Sequence, residues 1–347
     1  MKTIRTSITL VALLASAGAA HAQRYELSGN RVALYNLVGS MRIESGAGST
    51  VVVEVERSGR DAQRLTVRTS ALDGVPTLRV IYPGDDIVAD DMDRGSNANL
   101  QVDDEGTWGR VRGGRRVRIS GRGDDDALHA QARIIVRVPQ GVSVSAHQAV
   151  GDLTATNVAS NLELESSNGS INSVGQRGSL RAETASGEIN VSNAQGDLRL
   201  ETASGDIEVK GSSGKTIQAE AASGSIRVED ARAEDVSLES ASGTIRVART
   251  SAPRVKAETA SGSVRVELDG EVRDVEISTA SGSVEAVLPA NFAGEVELET
   301  ASGDVDVDFP MNITRQRRNH LRGTVGQGGT ARVTLNAASG DVRLLRR

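Results

Sequence analysis

The stretch Ser179-Leu-Arg-Ala-Glu-Thr-Ala-Ser-Gly-Glu-Ile-Asn-Val191 is one copy of a unit that recurs along the chain. Its Ala-Ser-Gly triplet occurs eight times, and a Ser-Asn-Gly triplet ending at Gly169 takes its place once more. From Gly169 onwards, the glycines of these triplets are separated by 18, 18, 19, 19, 19, 20, 21 and 37 residues. A period of about 20 residues is typical of stacked repeats, so a repeat fold is predicted. The last step is almost two periods, which indicates an altered or interrupted rung.

Polar and apolar side chains alternate within the unit. Leu180, Ala182 and Thr184 fall on one face of a strand, whereas Arg181 and Glu183 fall on the other. Aliphatic and polar residues alternate in the same way after the glycine. Period two is the period of a β-strand, and the helical period is absent. We therefore predict an all-β fold, a single elongated β-solenoid (β-helix) with two short strands per rung of 18–21 residues.

The triplet glycine is predicted to form the corner between the two strands of a rung. Glycine accepts positive φ without a Cβ penalty, and the preceding serine hydroxyl is expected to bond nearby backbone. The predicted structural turns are Gly169, Gly187, Gly205, Gly224, Gly243, Gly262, Gly282, Gly303 and Gly340. The inward residues should form one continuous core, represented by Leu200, Ile207, Val228, Val247, Val266 and Leu298.

The first 22 residues are predicted to be a signal peptide. They contain the cations Lys2 and Arg5, an apolar run at 8–14 and the small-residue cleavage site Ala20-His-Ala22. Removing the two cations changes the net charge from −6 to −8. We expect export by the secretory pathway to the periplasm, cell surface or medium, with no membrane span after signal removal. An acidic mature chain argues against nucleic-acid binding, and the lack of cysteine excludes disulfides and thiol catalysis.

Composition divides the mature chain into four predicted segments. Residues 23–83 contain short apolar runs punctuated by glycine and should form irregular N-terminal rungs and a cap. Residues 84–128 are rich in Asp, Gly and Arg and should form a charged surface insertion, with a brief hairpin at Val117–Ile119. Residues 129–309 carry the regular solenoid repeats, and residues 310–347 carry a basic excursion and the C-terminal rungs.

The chain resembles a known family in its serial units, such as Thr202-Ala-Ser-Gly-Asp-Ile207 and Thr300-Ala-Ser-Gly-Asp-Val305. The likeness extends to the end, where Gly326-Gln-Gly-Gly329 precedes Ala338-Ser-Gly-Asp-Val342. This is the "putative adhesin" family of bacterial β-solenoids, a domain of unknown function. The resemblance covers 130–347 well and 24–83 loosely. It implies a β-solenoid with an adhesin-like role, and it brings no catalytic residues with it.

An outward stripe of glutamates is the main candidate for a binding surface. Its predicted members are Glu165, Glu183, Glu201, Glu220, Glu239, Glu258 and Glu299, with Ser278 interrupting. Stacking would place neighbours about 4.8 Å apart, where two such charges repel by about 1 kcal/mol in water. Relief is expected from Arg181, Arg199 and Lys256, two positions earlier on the same face. The stripe is interpreted either as a multivalent site for cations or a basic partner, or as a solvated face that discourages aggregation.

Sequence signatures of catalysis and metal binding are missing. His21 lies in the predicted signal, and His129, His147 and His320 are isolated from one another. The Asp clusters of the insertion lack calcium-loop spacing, and the tripeptide Arg122-Gly-Asp124 is expected by chance in so biased a segment. We predict that the chain is not an enzyme and has no cofactor.

These observations favour a non-catalytic, exported β-solenoid that binds or scaffolds at the bacterial cell envelope. Its partner would be an envelope polymer, a surface or a protein. Two alternatives stay open. A polysaccharide lyase or hydrolase on a parallel β-helix would show a cleft lined by two or three close carboxylates. A periplasmic sensor or regulatory partner has no sequence feature that separates it from an adhesin. A local site around Trp108 in the insertion competes with the stripe as the place of binding.

Overall fold

The computed structural model describes residues 22–90, 92, 95–109, 113–123 and 126–347. The predicted signal peptide lies outside the described residues, apart from Ala22. The described residues form strands almost throughout, and the short 3₁₀ helix at Ala62–Arg64 is the helical element among them. No described helix is long and apolar enough to cross a membrane.

The described residues contain thirty-one strands, numbered in chain order. The N-terminal strands are β1 (Gln23–Leu27), β2 (Arg31–Ser45), β3 (Val51–Ser58), β4 (Thr66–Leu72), β5 (Val75–Ile81), β6 (Asp86–Val88), β7 (Asn97–Val102), β8 (Arg115–Ser120), β9 (Gln131–Val138), β10 (Ser143–Val150) and β11 (Leu153–Thr156). The regular strands are β12 (Leu162–Asn168), β13 (Ile171–Val174), β14 (Leu180–Ser186), β15 (Ile189–Ser192), β16 (Leu198–Ser204), β17 (Ile207–Lys210), β18 (Thr216–Ser223), β19 (Ile226–Glu229), β20 (Asp235–Ser242), β21 (Ile245–Thr250), β22 (Arg254–Ser261), β23 (Val264–Leu268), β24 (Asp274–Ser281) and β25 (Val284–Leu288). The C-terminal strands are β26 (Gly294–Ser302), β27 (Val305–Val307), β28 (Met311–Arg317), β29 (His320–Val325), β30 (Ala331–Ser339) and β31 (Val342–Arg346).

Each regular rung contributes one strand to each of two sheets. The strand before the glycine joins sheet I, where β12, β14, β16, β18, β20, β22 and β24 pair in parallel. The strand after the glycine joins sheet II, where β13, β15, β17, β19, β21, β23 and β25 pair in parallel. Isolated bridges from Ala159 to Ser251 connect the rungs along a third side. The predicted β-solenoid with two strands per rung is therefore confirmed.

The core lies between the two sheets and runs along the stack as one continuous cluster. All six representative residues predicted to be inside are buried, from Leu200 to Leu298. Side chains alternate between this core and solvent because successive residues of a strand point to opposite faces. A rung therefore buries its aliphatic residues only by lying between two other rungs.

Rungs stack out of chain order at the N-terminal end. Strand β2 bends so that its first half pairs with β10 in sheet I and its second half with β11 in sheet II. On its other side β2 meets β5 and β9, which come later in the chain. Antiparallel strands end both sheets. In sheet I, β4 pairs with β5. In sheet II, β3 pairs with β9, and β1 pairs with the other edge of β3.

The same exchange occurs at the C-terminal end. Strands β30 and β31 lie between the rung of β24 and β25 and the rung of β26 and β27. Sheet I then ends in an antiparallel hairpin, in which β29 pairs with β26 and β28 pairs with β29. The 37-residue step in the sequence thus contains this hairpin and the return of the chain into the stack.

The insertion at 84–128 contains its own small sheet, in the order β6–β8–β7. Val117 and Ile119 of β8 are fully buried, and Trp108 is 3% exposed. The sequence predicted a brief hairpin at Val117–Ile119. The structure has the single strand β8 there, which pairs with β6 and β7. The insertion therefore packs apolar side chains against the solenoid in addition to displaying charge.

Candidate functional site

The corner of each rung fixes the strand that carries the candidate residues. Gly224 has φ of +148°, and a Cβ there would lie 1.9 Å from the carbonyl oxygen of Gly205 in the adjacent rung. All nine predicted turn glycines have positive φ and a similar backbone neighbour. The hydroxyl that bonds backbone belongs to Thr184, which donates to Gly169 O at 3.2 Å, rather than to the triplet serine. Equivalent bonds come from Thr202, Ser240, Thr259, Thr279 and Thr300.

Strand register places six glutamates in one line on the outer face of sheet I. We call this line the glutamate row; it consists of Glu165, Glu183, Glu201, Glu220, Glu239 and Glu258. Each is half-buried or exposed. Glu299 lies further along the same line, two strands beyond Ser278. Asn336 of β30 lies between Ser278 and Glu299, because β30 returns into the stack, and the sequence did not predict this second interruption.

The charges of the row are only partly compensated. Arg181 lies 3.0 Å from Glu183, and Lys256 lies 3.2 Å from Glu258. The hydrogen bond that Lys256 donates to Glu258 raises the pKa of Lys256. The expected relief of Glu201 by Arg199 does not occur, because Arg199 Nη1 donates to Gln218 Oε1 at 3.4 Å.

The three central members, Glu201, Glu220 and Glu239, have no ion-pair partner among the described residues. The charge of Lys256 reaches Glu239 without an ion pair, so Coulomb repulsion in this part of the row is least relieved at Glu201 and Glu220.

A groove of about 670 Å³ runs along the glutamate row. Its floor combines the row from Glu165 to Glu239 with the small side chains beside it, Ser167, Ala185, Ala203, Ala222 and Ala241. One end is closed by the insertion, through Asn99, Leu100, Gln101, Trp108 and Gly109. The two places that the sequence offered as competing binding regions, the stripe and the surroundings of Trp108, thus meet in one groove.

The closed end of the groove is built on an aromatic stack. His147 and Tyr35 continue the line of the glutamate row on β10 and β2. His147 Nδ1 lies 2.7 Å from Glu165 Oε2, and its ring stacks on Tyr35 at a centroid distance of 4.2 Å. Trp108 meets His147 edge-on at 6.0 Å, and its Nε1 donates to the Asn36 carbonyl at 3.2 Å. Burial, and next the charge of Glu165, raise the pKa of Tyr35.

A buried cation, Arg79, lies on the strand next to Tyr35 of this stack. The side chain of Arg79, which pairs with Tyr35 in sheet I, is 0% exposed. Its Nη1 donates to Glu105 Oε2 at 2.7 Å and to Ser70 Oγ at 2.8 Å, while Nε and Nη2 have no hydrogen-bond partner. A buried charge needs its partner, so Glu105 ties the insertion to the solenoid.

Two of the three histidines that lie apart from one another in the sequence, His147 and His320, are in contact with a carboxylate. His147 bonds Glu165, and His320 Nε2 lies 3.1 Å from Glu297 Oε1. The contact between His147 and Glu165 could have been predicted from the sequence, because His147 precedes Glu165 by 18 residues, which is one repeat. Nothing periodic points to Trp108, whose position depends on how the insertion folds.

Among the described residues, no group of three His, Cys, Asp or Glu side chains is arranged to hold a metal ion. Asp103 accepts the N–H groups of Glu105 and Thr107, which gives this carboxylate a role in a loop. Asp124 of the Arg122-Gly-Asp124 tripeptide lies outside the described residues.

The profile of one protein family, Toastrack DUF4097, matches residues 60–345, and the chain belongs to this family. Two solved structures are similar to it. A "putative cell adhesion protein" from Clostridium sporogenes is 10% identical, with 94% of this chain and 100% of that chain covered and a TM-score of 0.18. A "putative adhesin" from Parabacteroides merdae is 9% identical, with 93% and 97% covered and a TM-score of 0.32. No curated protein matches the chain.

Proposed function

We propose that this protein is an exported, non-catalytic binding module that acts at the bacterial cell envelope in an adhesin-like way. The observation that carries the proposal is the groove along the glutamate row, in which Glu201, Glu220 and Glu239 repeat at one residue per rung. A basic polymer, surface or protein would contact several rungs together. Weak contacts of this kind add through effective concentration, so avidity exceeds the affinity of one rung.

The groove also favours a second candidate function, that of a polysaccharide lyase or hydrolase. Neighbouring carboxylates about 4.8 Å apart are close to the separation in retaining glycosidases. Such catalysis needs two carboxyl groups whose surroundings differ, so that one is protonated while the other is ionised. The central glutamates instead repeat the same position on equivalent strands. Trp108 and Tyr35, at the end of the groove, are buried and offer no open ring face to a sugar.

Binding of the chain from Gln23 onwards to immobilised envelope material from the bacterium that encodes it tests the proposal. Substitution of Glu201, Glu220 and Glu239 together by Gln should weaken binding at least about tenfold, because three contacts are lost from one array. The single change Glu220→Gln should have less than about a twofold effect, since its neighbours keep the partner in place.

A matched control removes the same charge elsewhere. Glu188, Glu208 and Glu234 are exposed acids outside the groove, and their joint change to Gln should leave binding unchanged. Equal losses in the two triple variants would refute a role for the groove and leave only net charge. Turnover of an envelope glycan by the wild-type chain, abolished by one Glu→Gln change, would establish the enzyme instead.

A further inference from the structure

The hairpin of β28 and β29 concentrates positive charge at the C-terminal end of the solenoid. It carries Arg315, Arg317, Arg318 and Arg322 together with His320. Arg322 lies 3.8 Å from Glu297 and 4.0 Å from Glu295. Arg315, Arg317 and Arg318 are exposed and have no ion-pair partner among the described residues.

Strand pairing brings these like charges together. Arg315 is directly opposite Arg322. Like charges opposite one another destabilise an antiparallel pair. The arrangement therefore works against the stability of the hairpin, which is the kind of local cost that proteins retain at functional sites.

The two faces of the hairpin differ in character. The register shifts between Ile313, which pairs with Gly323, and Arg315, which pairs with Arg322. Because consecutive residues of β29 point to opposite faces, Ile313 and Arg315 lie on opposite sides of the hairpin. Ile313 is 49% exposed, which makes it one of the two exposed large hydrophobic residues of the described chain.

The hairpin is also at the tip of the molecule. Strand β28 is the last strand of sheet I, and β29 is its single partner among the described strands. Five strand spacings, roughly 24 Å, separate it from β22 and Glu258. On the four strands between them the same line holds Ser278, Asn336, Glu299 and His320. This distance exceeds two Debye lengths at physiological salt, so the row up to Glu258 screens little of the charge at the tip. The acids close to the hairpin are those of β26, and Arg322 is the arginine that pairs with them.

We propose that this hairpin docks the C-terminal end of the solenoid on an anionic lipid bilayer. A bilayer that meets the C-terminal end of the solenoid would contact arginines on one side of the β28 edge and Ile313 on the other side. Each cationic side chain near an anionic leaflet raises membrane partitioning about fivefold, so three unpaired arginines supply about a hundredfold. Attachment of this size is reversible, and insertion of Ile313 adds an apolar contribution. The proposal is independent of what the groove binds.

Co-sedimentation of the chain from Gln23 onwards with vesicles tests the proposal. Vesicles with about 40% phosphatidylglycerol should carry the protein down in about 0.1 M salt, and pure phosphatidylcholine vesicles should not. The double variant Arg315→Gln, Arg317→Gln should partition at least about tenfold less. The matched variant Arg227→Gln, Arg246→Gln removes two exposed arginines from sheet II and should partition within about twofold of wild type.

The apolar contact separates a bilayer from a soluble anion. Ile313→Ser keeps every charge and should lower partitioning about threefold, because an exposed aliphatic contact is lost. If Ile313→Ser has no effect and inorganic polyphosphate binds as tightly as the vesicles, the hairpin recognises phosphate, and the bilayer proposal is overturned. Failure of wild type to bind phosphatidylglycerol vesicles, or equal loss in the sheet II variant, overturns it too. So does a lipid-free dimer that the Arg315→Gln, Arg317→Gln variant dissociates, since β28 would then pair with a second copy.

Discussion

The middle of the solenoid and its two ends are stabilised by different kinds of contact. From β12 to β25, strands that pair with one another are 18 to 20 residues apart in the sequence, and equivalent side chains meet, as Glu201 meets Glu220. At the ends, partners are far apart in sequence. Val32 meets Val144, Met41 meets Ile134, and β30 returns to lie between β24 and β26.

The difference shows that a repeat specifies how to continue a stack but not how to end it. An open end would expose core side chains and unpaired strand edges, which is an aggregation hazard. Here antiparallel strands and the insertion cover the ends, and each uses contacts that occur once in the molecule. Long-range pairing of this kind also costs loop-closure entropy, so the ends should form after the middle.

The largest effect is expected where the stacking of the middle leaves no room for a side chain. A Cβ at Gly224 would lie 1.9 Å from backbone of the adjacent rung, so Gly224→Ala should lower the free energy of unfolding by roughly 4 kcal/mol. Gly74, near the N-terminal end, also has positive φ, +80°, but no atom within 4 Å of its Cβ position. Gly74→Ala should cost about 1 kcal/mol. Chemical denaturation measures both, and equal costs would show that close approach of the rungs is unimportant.

The next largest loss of stability should be confined to the N-terminal end of the solenoid. Trp108→Ala removes a buried indole and its bond to Asn36, which should cost about 3 kcal/mol. Hydrogen exchange should quicken in β2 and β10, which border the insertion, and stay unchanged in β16 and β18. Trp108→Phe keeps a ring there and should cost less. Faster exchange throughout the solenoid would mean that the ends and the middle unfold as one unit.

How much could be predicted from the sequence follows the same division. The two-strand rung, the corner glycines and the glutamate row up to Glu258 were predictable, because a constant period translates directly into strand register. The position of Glu299 was not, since no period indicates that residues 331–346 return into the stack. His147 could have been placed from its 18-residue offset to Glu165. The contacts of Trp108 and Arg79 depend on the fold of the insertion, and no pattern encodes them.

Alkaline pH should act on the N-terminal end before the middle. The Tyr82 hydroxyl is buried, donating to Val38 O at 2.7 Å, and burial raises its pKa. The unfolded chain ionises near the ordinary value of 10.0, so this stabilisation is complete below pH 10 and falls as pH rises towards the folded pKa. The loss should be about 1.4 kcal/mol per pH unit. Denaturation between pH 9 and 11, compared with Tyr82→Phe, measures it. An unchanged slope in Tyr82→Phe would assign the effect to other groups.

The smallest effect concerns the rung where the end meets the middle. In the rung of β12 and β13, Ser166 and Ser173 are buried and their hydroxyls have no hydrogen-bond partner among the described residues. The next rung has Thr184, which bonds Gly169 O, and Val191 at these positions. An unpaired buried hydroxyl is costly, so Ser173→Val should raise the free energy of unfolding by about 1 kcal/mol. This would make the rung resemble the regular middle.

A matched substitution on the outer face tests whether burial is the cause. Ser237 is exposed on β20, and Ser237→Val should change stability by less than about 0.5 kcal/mol. A gain of the same size at both positions would point to β-propensity, because valine favours strands wherever it lies. A loss at Ser173 would mean that this rung packs too tightly for a second methyl group. The boundary between end and middle would then be set by core volume rather than by an unpaired hydroxyl.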